Sequence, residues 1–515
     1  MTKEIKYKLS NVLAVCLVLF AGVVLLFLYW SSRPLARMRL IHQIELVTFP
    51  VKYRTRVSEA AKADQTKTAQ EVPVLLYHGI FDGPDDGFNI SKDTFIDQMR
   101  SLKRNGYTTI TMKQYLDFVS GKIDLPYKSV LITFDDGRKD SYYRADTVLN
   151  AMKFKAVMFL TSGYSLVDGS NYYVDRDEMM AMHKSGRWDI EAHADYAGTN
   201  QVTIDAKGTT GNFFGKLKWV EKENRIESSD EYRERVSTEM ATVKTELTDY
   251  LGADSIRTLA FPFGDYGQSN SDDKLTNVLL QEAHKYYEQV FIQFRKGDPY
   301  SSNYKEKDAF MSRRIEVDPH LSGQELSDLL ISATAKPLPY TATLGRNEGW
   351  KTDWGVLTYD DSQKSITVGS GKGTSAAIYL DGTRQLEHYD VNAEVEVDDP
   401  GTIVKLIAPY INGHNYIGCN FNGSAVRVEQ LKNGERTLVG QKTFGYESTA
   451  GKRTKLSIRV EKDNHIGCYS DGQLVISVPY DGGYGSGGPA ISIWNMEPGK
   501  AKAVIKSFAL KELAQ

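Results

Sequence analysis

SVLITFDDG, residues 129–137, is the stretch that decides the fold of the first half of this chain. Its apolar run predicts a buried strand that ends in a turn. Asp135 and Asp136 lie side by side at that end, where both side chains can turn toward one pocket. Two adjacent carboxylates repel each other unless a cation or a shared proton compensates. The pair therefore indicates a site in which one aspartate holds a metal ion and the other accepts a proton, although a simple Asp-Gly turn also explains these residues.

The size and composition of the chain limit the classes of protein to which it can belong. Its 515 residues are too many for one hydrophobic core and predict two or three domains. Hydrophobic residues make up 41% and charged residues 25%, as in ordinary globular proteins. The net charge is −3, and the sequence contains no strongly basic domain or arm. We therefore expect no nucleic-acid partner, because such a partner requires a positive surface along its phosphate backbone.

One segment near the beginning of the chain has the length and composition of a membrane-spanning helix. Residues 11–30 contain no charge and end in Tyr29 and Trp30, a pair suited to the membrane interface. The main alternative is a cleaved signal peptide, but the apolar run is long for one and no Ala-x-Ala site follows closely. We expect a tail over residues 1–10, a transmembrane anchor over 11–30 and a polar stalk over 31–71.

Residues 72–335 alternate between short apolar runs and helical patterns. Strands that alternate with helices predict a parallel α/β sheet, which either closes as a barrel or stays open. A long interruption between 193 and 258 contains an amphipathic helix, for which Ser228 is the expected N-cap. The candidate strands are 73–77, 108–111, 129–134, 155–160, 188–193, 258–263 and 289–294.

The last third of the chain has the pattern of an all-β domain. Residues 336–349 begin with Lys-Pro-Leu-Pro and are expected to be a linker. Between 350 and 515, short alternating runs are separated by Asn-Gly, Asp-Gly and Gly-Gly turns, which is typical of a β-sandwich. Cys419 and Cys468 both occur in Ile-Gly-Cys sequences. They either form one disulfide in an oxidising compartment or remain buried thiols on separate strands.

Functional groups collect at the carboxyl ends of the strands in parallel α/β folds. Asp136 and His193 offer oxygen and nitrogen ligands to a divalent cation such as Zn²⁺. Asp135 would then be the general base, His78 the general acid, and the backbone N–H of Phe263 a donor to a developing oxyanion. Together these groups can hydrolyse an amide or an ester, although each alone also fits an ordinary turn. The candidate strand ends carry His78, Asp135, Asp136, His193 and residues 261–264.

Several of these stretches resemble the NodB-homology polysaccharide deacetylases, carbohydrate esterase family 4. TFDDG at 133–137 is similar to the first motif of that family, and AFPFG at 260–264 to its third, the oxyanion loop. VLLYH at 74–78 and the segment 311–315 resemble the branch of poly-N-acetylglucosamine N-deacetylases. The resemblance covers residues 72–335 and implies a distorted (β/α) barrel that acts on a polysaccharide. It also implies substrate contacts from Phe261, Pro262, Gly264 and Arg314. For Arg313 and Arg314, the alternatives are orientation of Asp135 and surface charge beside an outer strand.

The sequence departs from this family at the second motif, which pairs two metal-binding histidines. His193 is followed by Ala-Asp-Tyr-Ala-Gly, so Ala197 or Gly198 stands where the second histidine is expected. Either Asp195 supplies a replacement oxygen, which makes Asp136, His193 and Asp195 the expected ligands, or water takes the place of the missing histidine. A site with fewer ligands binds its ion less tightly. Two hypotheses remain: an enzyme with a rearranged site, or a catalytically silent protein that binds glycan.

The C-terminal domain resembles laminin-G-like and concanavalin-like jelly rolls. Exposed aromatic side chains on such sheets stack on sugar rings, so the domain is either a carbohydrate-binding domain or only a spacer or docking surface. A third hypothesis is a lectin-like adhesin in which this domain is the main binding part. The candidate aromatic residues are Tyr410, Tyr416, Tyr484 and Trp494. The alternative is that most of them are core or turn residues, which we favour for Trp494.

The sequence as a whole predicts an α/β barrel followed by an all-β sandwich, behind one N-terminal transmembrane helix. The resemblance implies metal-assisted removal of N-acetyl groups from an amino-sugar exopolysaccharide. Candidate partners are the polysaccharide, the membrane, and proteins of exopolysaccharide synthesis or export. Basic residues on the two sides of 11–30 are nearly balanced, so placing both domains outside the cell follows from the resemblance alone.

Overall fold

The computed structural model describes residues 20, 34–57, 67–81, 83, 87–270, 273–293, 299–306, 309–422, 425–443 and 453–513. The expected tail over 1–10 and, except for Phe20, the expected anchor over 11–30 lie outside these residues. Over the described ranges, no helix is both long and apolar enough to cross a membrane.

The elements of the first part of the chain alternate between strand and helix, as the sequence predicts. The helices are α1 (Pro34–Val57), α2 (Lys92–Arg104), α3 (Met112–Val119), α4 (Lys139–Met152), α5 (Ser162–Ser165), α6 (Arg176–Lys184), α7 (Ser229–Leu251), α8 (Lys274–Tyr286) and α9 (Gly323–Ala333), with 3₁₀ turns at Glu221–Glu223 and Pro262–Gly264. The strands are β1 (Glu71–Val72), β2 (Val74–Tyr77), β3 (Ile80–Phe81), β4 (Ile90–Ser91), β5 (Thr108–Thr109), β6 (Ser129–Phe134), β7 (Ala156–Thr161), β8 (Trp188–Ala194), β9 (Gln201–Thr203), β10 (Thr210–Asn212), β11 (Trp219–Val220), β12 (Arg225–Ile226), β13 (Thr258–Ala260), β14 (Gln289–Ile292), β15 (Asn303–Tyr304), β16 (Met311–Arg313) and β17 (Ile315–Glu316).

The parallel sheet of this part closes into a barrel. Its strands follow the order β16-β14-β13-β8-β7-β6-β2-β17, and all neighbours in this order pair in parallel. Only Arg314 separates β16 from β17, so one continuous stretch of chain pairs with β14 on one side and with β2 on the other. The sequence patterns missed this closing stretch. They predicted instead a strand at 108–111, where the short β5 pairs with β6 outside the order.

Side chains of the barrel strands alternate between the inside of the barrel and the layer of helices around it. In β6, Leu131 belongs to an inner cluster with Phe159 and Phe291, whereas Ile132 packs into the outer cluster beneath the helices. Every residue of β6 is buried, because both faces of the strand are covered. Asp135 continues the inward-facing series of this strand by the two-residue period, so its side chain enters the mouth of the barrel.

The long helix α7 begins and packs as its sequence predicts. The Ser228 hydroxyl accepts a hydrogen bond from the backbone N–H of Glu231, and the Glu231 side chain accepts one from the backbone N–H of Ser228. This capping box satisfies N–H groups that the first turn of a helix leaves without partners. The predicted apolar face is buried and consists of Tyr232, Val236, Met240, Val243 and Leu247.

The N-terminal helix α1 differs from the polar stalk expected over residues 31–71, because it packs against α4. His42 is 3% exposed, and its Nε2 lies 2.8 Å from Oδ2 of Asp146. Arg187 and the indole N–H of Trp188 donate to the same carboxylate. Hydropathy and periodicity could not reveal this contact, because it depends on a buried acid that lies 104 residues further along the chain.

The C-terminal part is a β-sandwich of two antiparallel sheets, as predicted. One disulfide joins Cys419 of one sheet to Cys468 of the other, which decides between the two alternatives for these cysteines. The strands are β18 (Tyr340–Thr341), β19 (Trp350–Trp354), β20 (Val356–Asp360), β21 (Ser365–Gly369), β22 (Ser375–Leu380), β23 (Tyr389–Val397), β24 (Ile403–Asn412), β25 (Asn415–Asn422), β26 (Ala425–Lys432), β27 (Glu435–Thr443), β28 (Arg453–Val460), β29 (His465–Ser470), β30 (Gln473–Pro479), β31 (Gly488–Trp494) and β32 (Lys502–Glu512).

Buried polar contacts join the barrel to the sandwich. The Tyr300 hydroxyl donates to the backbone carbonyl of Tyr410 at 2.9 Å, and the Tyr379 hydroxyl donates to the carbonyl of Pro299 at 3.0 Å. Within the expected linker over 336–349, β18 pairs with β32, so the sandwich already includes part of that segment.

Candidate functional site

The centre of the candidate site is an ion pair in the mouth of the barrel. Asp135 follows directly after β6 and is 3% exposed, and Arg314, between β16 and β17, is 1% exposed. Nη1 of Arg314 lies 2.6 Å from Oδ1 of Asp135, and Nη2 lies 2.8 Å from Oδ2. Such a bidentate ion pair fixes the plane of the carboxylate as well as its position. Each oxygen keeps acceptor capacity for another group, because a carboxylate offers about four lone-pair sites.

The position of Arg314 follows from the closure of the barrel. Its backbone N–H donates to the carbonyl of Ile292 at 2.7 Å, which ties this residue to β14. Its guanidinium lies 5.3 Å from the centre of the Phe159 ring inside the barrel. A cation over an aromatic face is attracted by the electron density of the ring. Of the alternatives that the sequence left for Arg314, its described contacts favour the orientation of Asp135, and its burial excludes surface charge.

Asp135 stays ionised despite its burial. Burial alone raises the pKa of a carboxylic acid, but the Arg314 guanidinium opposes this effect, and the pKa of Asp135 is lowered overall. The backbone N–H of Asp135 donates to the carbonyl of Tyr77 at 3.2 Å, which places His78 directly beside it, and His193 lies near the end of β8 at the same mouth. The structure thus brings together Asp135, Arg314, His193 and His78, which come from four separate parts of the chain.

His193 is the last inward-facing residue of β8, and its ring is oriented by a backbone carbonyl. Its Nδ1 lies 2.8 Å from the carbonyl oxygen of Ala260. Because a carbonyl oxygen can only accept, Nδ1 carries the hydrogen, and a neutral ring then presents the lone pair of Nε2. That atom lies 3.6 Å from Oδ1 of Asp136. The backbone carbonyl therefore sets the tautomer that a metal ligand needs.

Asp136 reaches this place through a left-handed turn. Its φ is +71° and that of Gly137 is +74°, two successive positive values that reverse the chain directly after β6. Aspartate and glycine tolerate this conformation better than other residues. The turn explanation of the Asp-Asp-Gly sequence is therefore confirmed. The same turn moves Asp136 away from the line of the strand and toward His193, and the functional explanation stays a prediction.

Two of the three predicted metal ligands lie together. The separation of His193 Nε2 and Asp136 Oδ1 suits two ligands of one small cation, since metal–ligand distances near 2 Å place neighbouring donors about 3.4 Å apart. Asp195 does not join them, because its Oδ1 accepts a hydrogen bond from Ser162 Oγ at 3.3 Å. Among the described residues, no group of three or more His, Cys, Asp and Glu side chains is arranged to hold a metal ion.

The structure also explains why no histidine stands at residue 198. Gly198 donates its backbone N–H to Glu239. A Cβ added to this glycine would come within 2.7 Å of Ala194 Cβ and of Glu239 Oε1. Any side chain at this position would collide with the strand and with the helix that support the loop.

The predicted oxyanion loop forms a tight turn after β13. Phe261 and Pro262 are buried, whereas the side chain of Phe263 is 56% exposed and its φ is +60°. In this part of the described chain, the N–H groups of Gly264 and Asp265 donate to carbonyls within the turn, and that of Phe263 has no such acceptor. A Cβ on Gly264 would meet Gln293, so glycine is needed there.

His78 lies beside the same mouth, directly after β2. Its ring is half-buried, and its carbonyl accepts a hydrogen bond from Ser141 Oγ at 2.8 Å. Because Ser141 belongs to α4, this bond ties the loop that carries His78 to the helix after the Asp-Asp-Gly turn. The catalytic role of this histidine stays a prediction.

The sequence analysis missed a group of tyrosines at the same end of the barrel. Tyr164, Tyr172, Tyr173 and Tyr196 contact one another in a row, with neighbouring ring centres 4.7–4.9 Å apart. The sequence places all four residues after the barrel strands β7 and β8, but tyrosine alone does not mark a site.

The aromatic candidates of the sandwich have different environments. Tyr410 is 1% exposed and Tyr416 6%, so both are part of the interior and cannot stack on a sugar ring in this structure. Tyr484 is half-buried, and its hydroxyl donates to the carbonyl of Leu431 at 2.5 Å. Trp494, at the end of β31, is 43% exposed, so it is not a core residue.

Comparisons with known proteins agree with the resemblance in the barrel. Residues 122–278 match the family model described as polysaccharide deacetylase. YxkH of Bacillus subtilis (strain 168), which is named as a polysaccharide deacetylase, is 33% identical over 140 residues, or 27% of this chain and 48% of that protein. The chain therefore spans about half the length of this relative.

Two further comparisons cover more of the chain. The poly-beta-1,6-N-acetyl-D-glucosamine N-deacetylase of Staphylococcus aureus (strain MSSA476) is 25% identical over 240 residues, or 46% of this chain and 73% of that protein. The solved structure of a de-N-acetylase from Aggregatibacter actinomycetemcomitans covers 50% of this chain and 98% of its own, with 22% identity and a TM-score of 0.42.

Proposed function

We propose that this chain, which carries a polysaccharide deacetylase domain, removes N-acetyl groups from an exopolysaccharide of the poly-N-acetylglucosamine type. The observation that carries the proposal is the ion pair between Asp135 and Arg314 beside the Asp136–His193 pair, all at the carboxyl ends of the barrel strands. The substrate for which the Staphylococcus aureus relative is named supports the choice of polymer.

In the proposed reaction, a water molecule attacks the acetyl carbonyl carbon and transfers a proton to Asp135. The pair with Arg314 supports this role, because it keeps the carboxylate ionised and oriented in a site sheltered from water. The N–H of Phe263 then donates to the oxygen that becomes negative. His78 gives a proton to the leaving nitrogen as the carbon–nitrogen bond breaks, so that acetate and a free amine result.

Asp136 and His193 are the residues that would hold a divalent metal ion, with Zn²⁺ the first candidate. When bound, such an ion polarises the acetyl carbonyl and increases the acidity of water. The Nδ1–H bond to Ala260 suits this role, because it leaves Nε2 of His193 free to bind a cation.

The proposal includes attachment to the membrane through residues 11–30 and placement of both domains outside the cell. The disulfide between Cys419 and Cys468 supports the placement, because disulfides persist in oxidising compartments and are rare in the cytosol.

A second candidate function is a catalytically silent glycan-binding protein. One observation favours it: across the described part of the chain, Asp136 and His193 have no third metal ligand beside them. Loss of a ligand lowers metal affinity and with it any reaction that depends on the ion.

The deciding experiment measures acetate release by the full chain from a β-1,6-linked N-acetylglucosamine oligomer, with Zn²⁺ added. We expect release by the wild type and a loss of at least about 100-fold in Asp135→Asn, because general-base catalysis contributes about 10²–10⁴-fold. Asp124→Asn is the control, since Asp124 lies at the surface and pairs with Lys305. A wild type that binds the oligomer but releases no acetate would contradict the enzyme and support the silent protein.

A further inference from the structure

The segments that follow two neighbouring barrel strands, β7 and β8, bring four tyrosines together, and we call this group the tyrosine row. Tyr173 and Tyr164 stack with ring centres 4.7 Å apart and an interplanar angle of 12°. Tyr172 meets Tyr173 at 4.8 Å, and Tyr196 meets Tyr164 at 4.9 Å. The order along the row is therefore Tyr172, Tyr173, Tyr164 and Tyr196.

The tyrosine row lies directly beside the candidate metal ligands. The loop of Tyr172 and Tyr173 pairs with the turn after Asp136, because Lys139 N–H donates to the Tyr172 carbonyl at 2.8 Å and Val174 N–H to the Gly137 carbonyl at 2.8 Å. At the other end, Tyr196 follows three residues after His193. Asp136 is also close enough to raise the pKa of Tyr173, after burial as the main cause. The row thus borders the site that carries Asp136 and His193.

Hydrogen bonds hold the two ends of the row in place. The hydroxyl of Ser170 accepts from the backbone N–H groups of both Tyr172 and Tyr173. The side-chain amide of Asn200 donates to the Tyr196 carbonyl at 2.6 Å. A binding surface that is already ordered loses little conformational entropy when a ligand arrives.

The rings at both ends of the row remain open to solvent. Tyr172 is 48% exposed and Tyr196 57% exposed, although one face of Tyr172 is covered by Arg138, whose guanidinium lies 4.9 Å from the ring centre. A row that served only to fill the interior would not leave its terminal rings this accessible. Apolar ring surface that is ordered and exposed beside a reaction centre is typical of a binding site.

We propose that the tyrosine row is a binding subsite for pyranose rings of the polymer that flank the reacting sugar, with Tyr196 as its most accessible contact. The face of a β-linked pyranose presents C–H groups, which an aromatic ring with a negative face attracts. A row that borders Asp136 and His193 can contact sugars beside the one that reacts. This inference rests on the proposed deacetylase function and adds that the enzyme selects chains over single sugars.

The experiment compares acetate release from a β-1,6-linked N-acetylglucosamine hexamer and from the dimer, using the full chain. In Tyr196→Ala we expect KM for the hexamer to rise about fivefold with kcat nearly unchanged, because one ring contact of this kind contributes roughly a factor of five to binding. KM for the dimer should stay the same. Tyr196→Phe keeps the ring and should behave as the wild type. Trp354→Ala removes a partly exposed aromatic side chain from the sandwich and is the control for a general surface effect.

The outcomes separate this inference from the function on which it rests. Equal KM values for the hexamer in Tyr196→Ala and in the wild type would overturn the subsite while leaving the deacetylase intact. No acetate release by the wild type from either oligomer would contradict the deacetylase itself. In that case, hexamer binding measured by calorimetry should still weaken in Tyr196→Ala, and unchanged binding would overturn the subsite as well. A thermal unfolding scan of each variant checks that the loop change has not unfolded the barrel.

Discussion

Arg314 donates two hydrogen bonds to Asp135, from Nη1 to Oδ1 at 2.6 Å and from Nη2 to Oδ2 at 2.8 Å, across 179 residues of sequence. This pair has a structural role and a proposed chemical role. It joins the closing strand of the barrel to β6, and it holds the carboxylate that we propose as the general base. Its two roles can be separated by experiment.

Removal of the guanidinium should destabilise the barrel. Arg314→Met leaves the buried charge of Asp135 without its partner. Breaking a buried ion pair in this way lowers the free energy of unfolding by about 3–5 kcal/mol. The double variant Arg314→Met with Asp135→Asn should recover part of this loss, because the uncompensated charge is then gone. Denaturant unfolding of the four proteins measures the coupling. Arg313→Met is the matched control, since Arg313 Nη1 donates to a backbone carbonyl, that of Tyr300. An equal loss in both arginine variants would contradict the special role of Arg314.

Metal binding should depend on Asp136 and His193 but not on Asp195. We expect Asp136→Ala to weaken Zn²⁺ binding at least about tenfold, because it removes one of two protein ligands. Asp195→Asn should change the affinity less than about twofold, since the carboxylate of Asp195 contacts Ser162 instead. Isothermal titration of the metal-depleted protein with Zn²⁺ tests both. A strong effect of Asp195→Asn would mean that this carboxylate turns toward the ion when it binds.

The stability of the barrel should fall as pH rises, through Glu191. Burial raises the pKa of this residue to about 8, although the N–H groups of Thr258 and Arg257 donate to it and oppose the shift. The folded state holds the proton of Glu191 more tightly than the unfolded state does. The proton therefore adds to the free energy of unfolding, fully below the ordinary pKa of 4.5, and this addition is lost as pH rises to about 8.

Glu191→Gln should remove this pH dependence of the free energy of unfolding, whose slope can reach about 1.4 kcal/mol per pH unit. Urea unfolding at pH 6 and pH 9 measures the difference, and the variant should be more stable than the wild type at the higher pH. Glu325→Gln is the control, because the pKa of that exposed carboxylate is lowered by hydrogen bonds from Ser322, so it stays ionised at both pH values. An identical pH slope in Glu191→Gln and the wild type would refute the prediction.

The disulfide should contribute strongly to the stability of the sandwich. It closes a loop between cysteines 49 residues apart and lies between the two sheets. A disulfide that closes a loop of this length is expected to raise the free energy of unfolding by up to about 4 kcal/mol, because it restricts the conformations of the unfolded chain. Replacing both Cys419 and Cys468 by alanine should lower the unfolding temperature of the sandwich, and dithiothreitol should have no further effect on that variant. A wild type whose unfolding is insensitive to the reductant under denaturing conditions would show that the bond does not form.

Much of the fold follows from local patterns in the sequence. The apolar run at 129–134 is a fully buried barrel strand, and the helix that begins after Ser228 has the capping box and the apolar face that its residues predict. Strand and helix depend on the spacing of apolar side chains and on hydrogen bonds between residues three or four apart. The position of Asp135 and Asp136 at a strand end is readable for the same reason.

The arrangement of the site depends on contacts between distant residues. The strand ends converge when the barrel closes. This brings Arg314 to Asp135 and four tyrosines to one another, and among the described residues it places no third ligand beside His193 and Asp136. The composition of a loop does not determine these distances, because the position of each loop depends on where the preceding strand ends in the barrel. The docking of His42 against Asp146 has the same origin.

Most strands and helices, the two kinds of domain and the residue types at the strand ends can be read from local sequence, because they depend on the order of polar and apolar side chains over a few residues. Which of those residues meet depends on the folded chain. Closure of the barrel by 311–316 brings Arg314 to Asp135, and packing of the two sheets brings Cys419 to Cys468. Both depend on burying surfaces that lie far apart along the chain, and no short stretch of sequence contains that information.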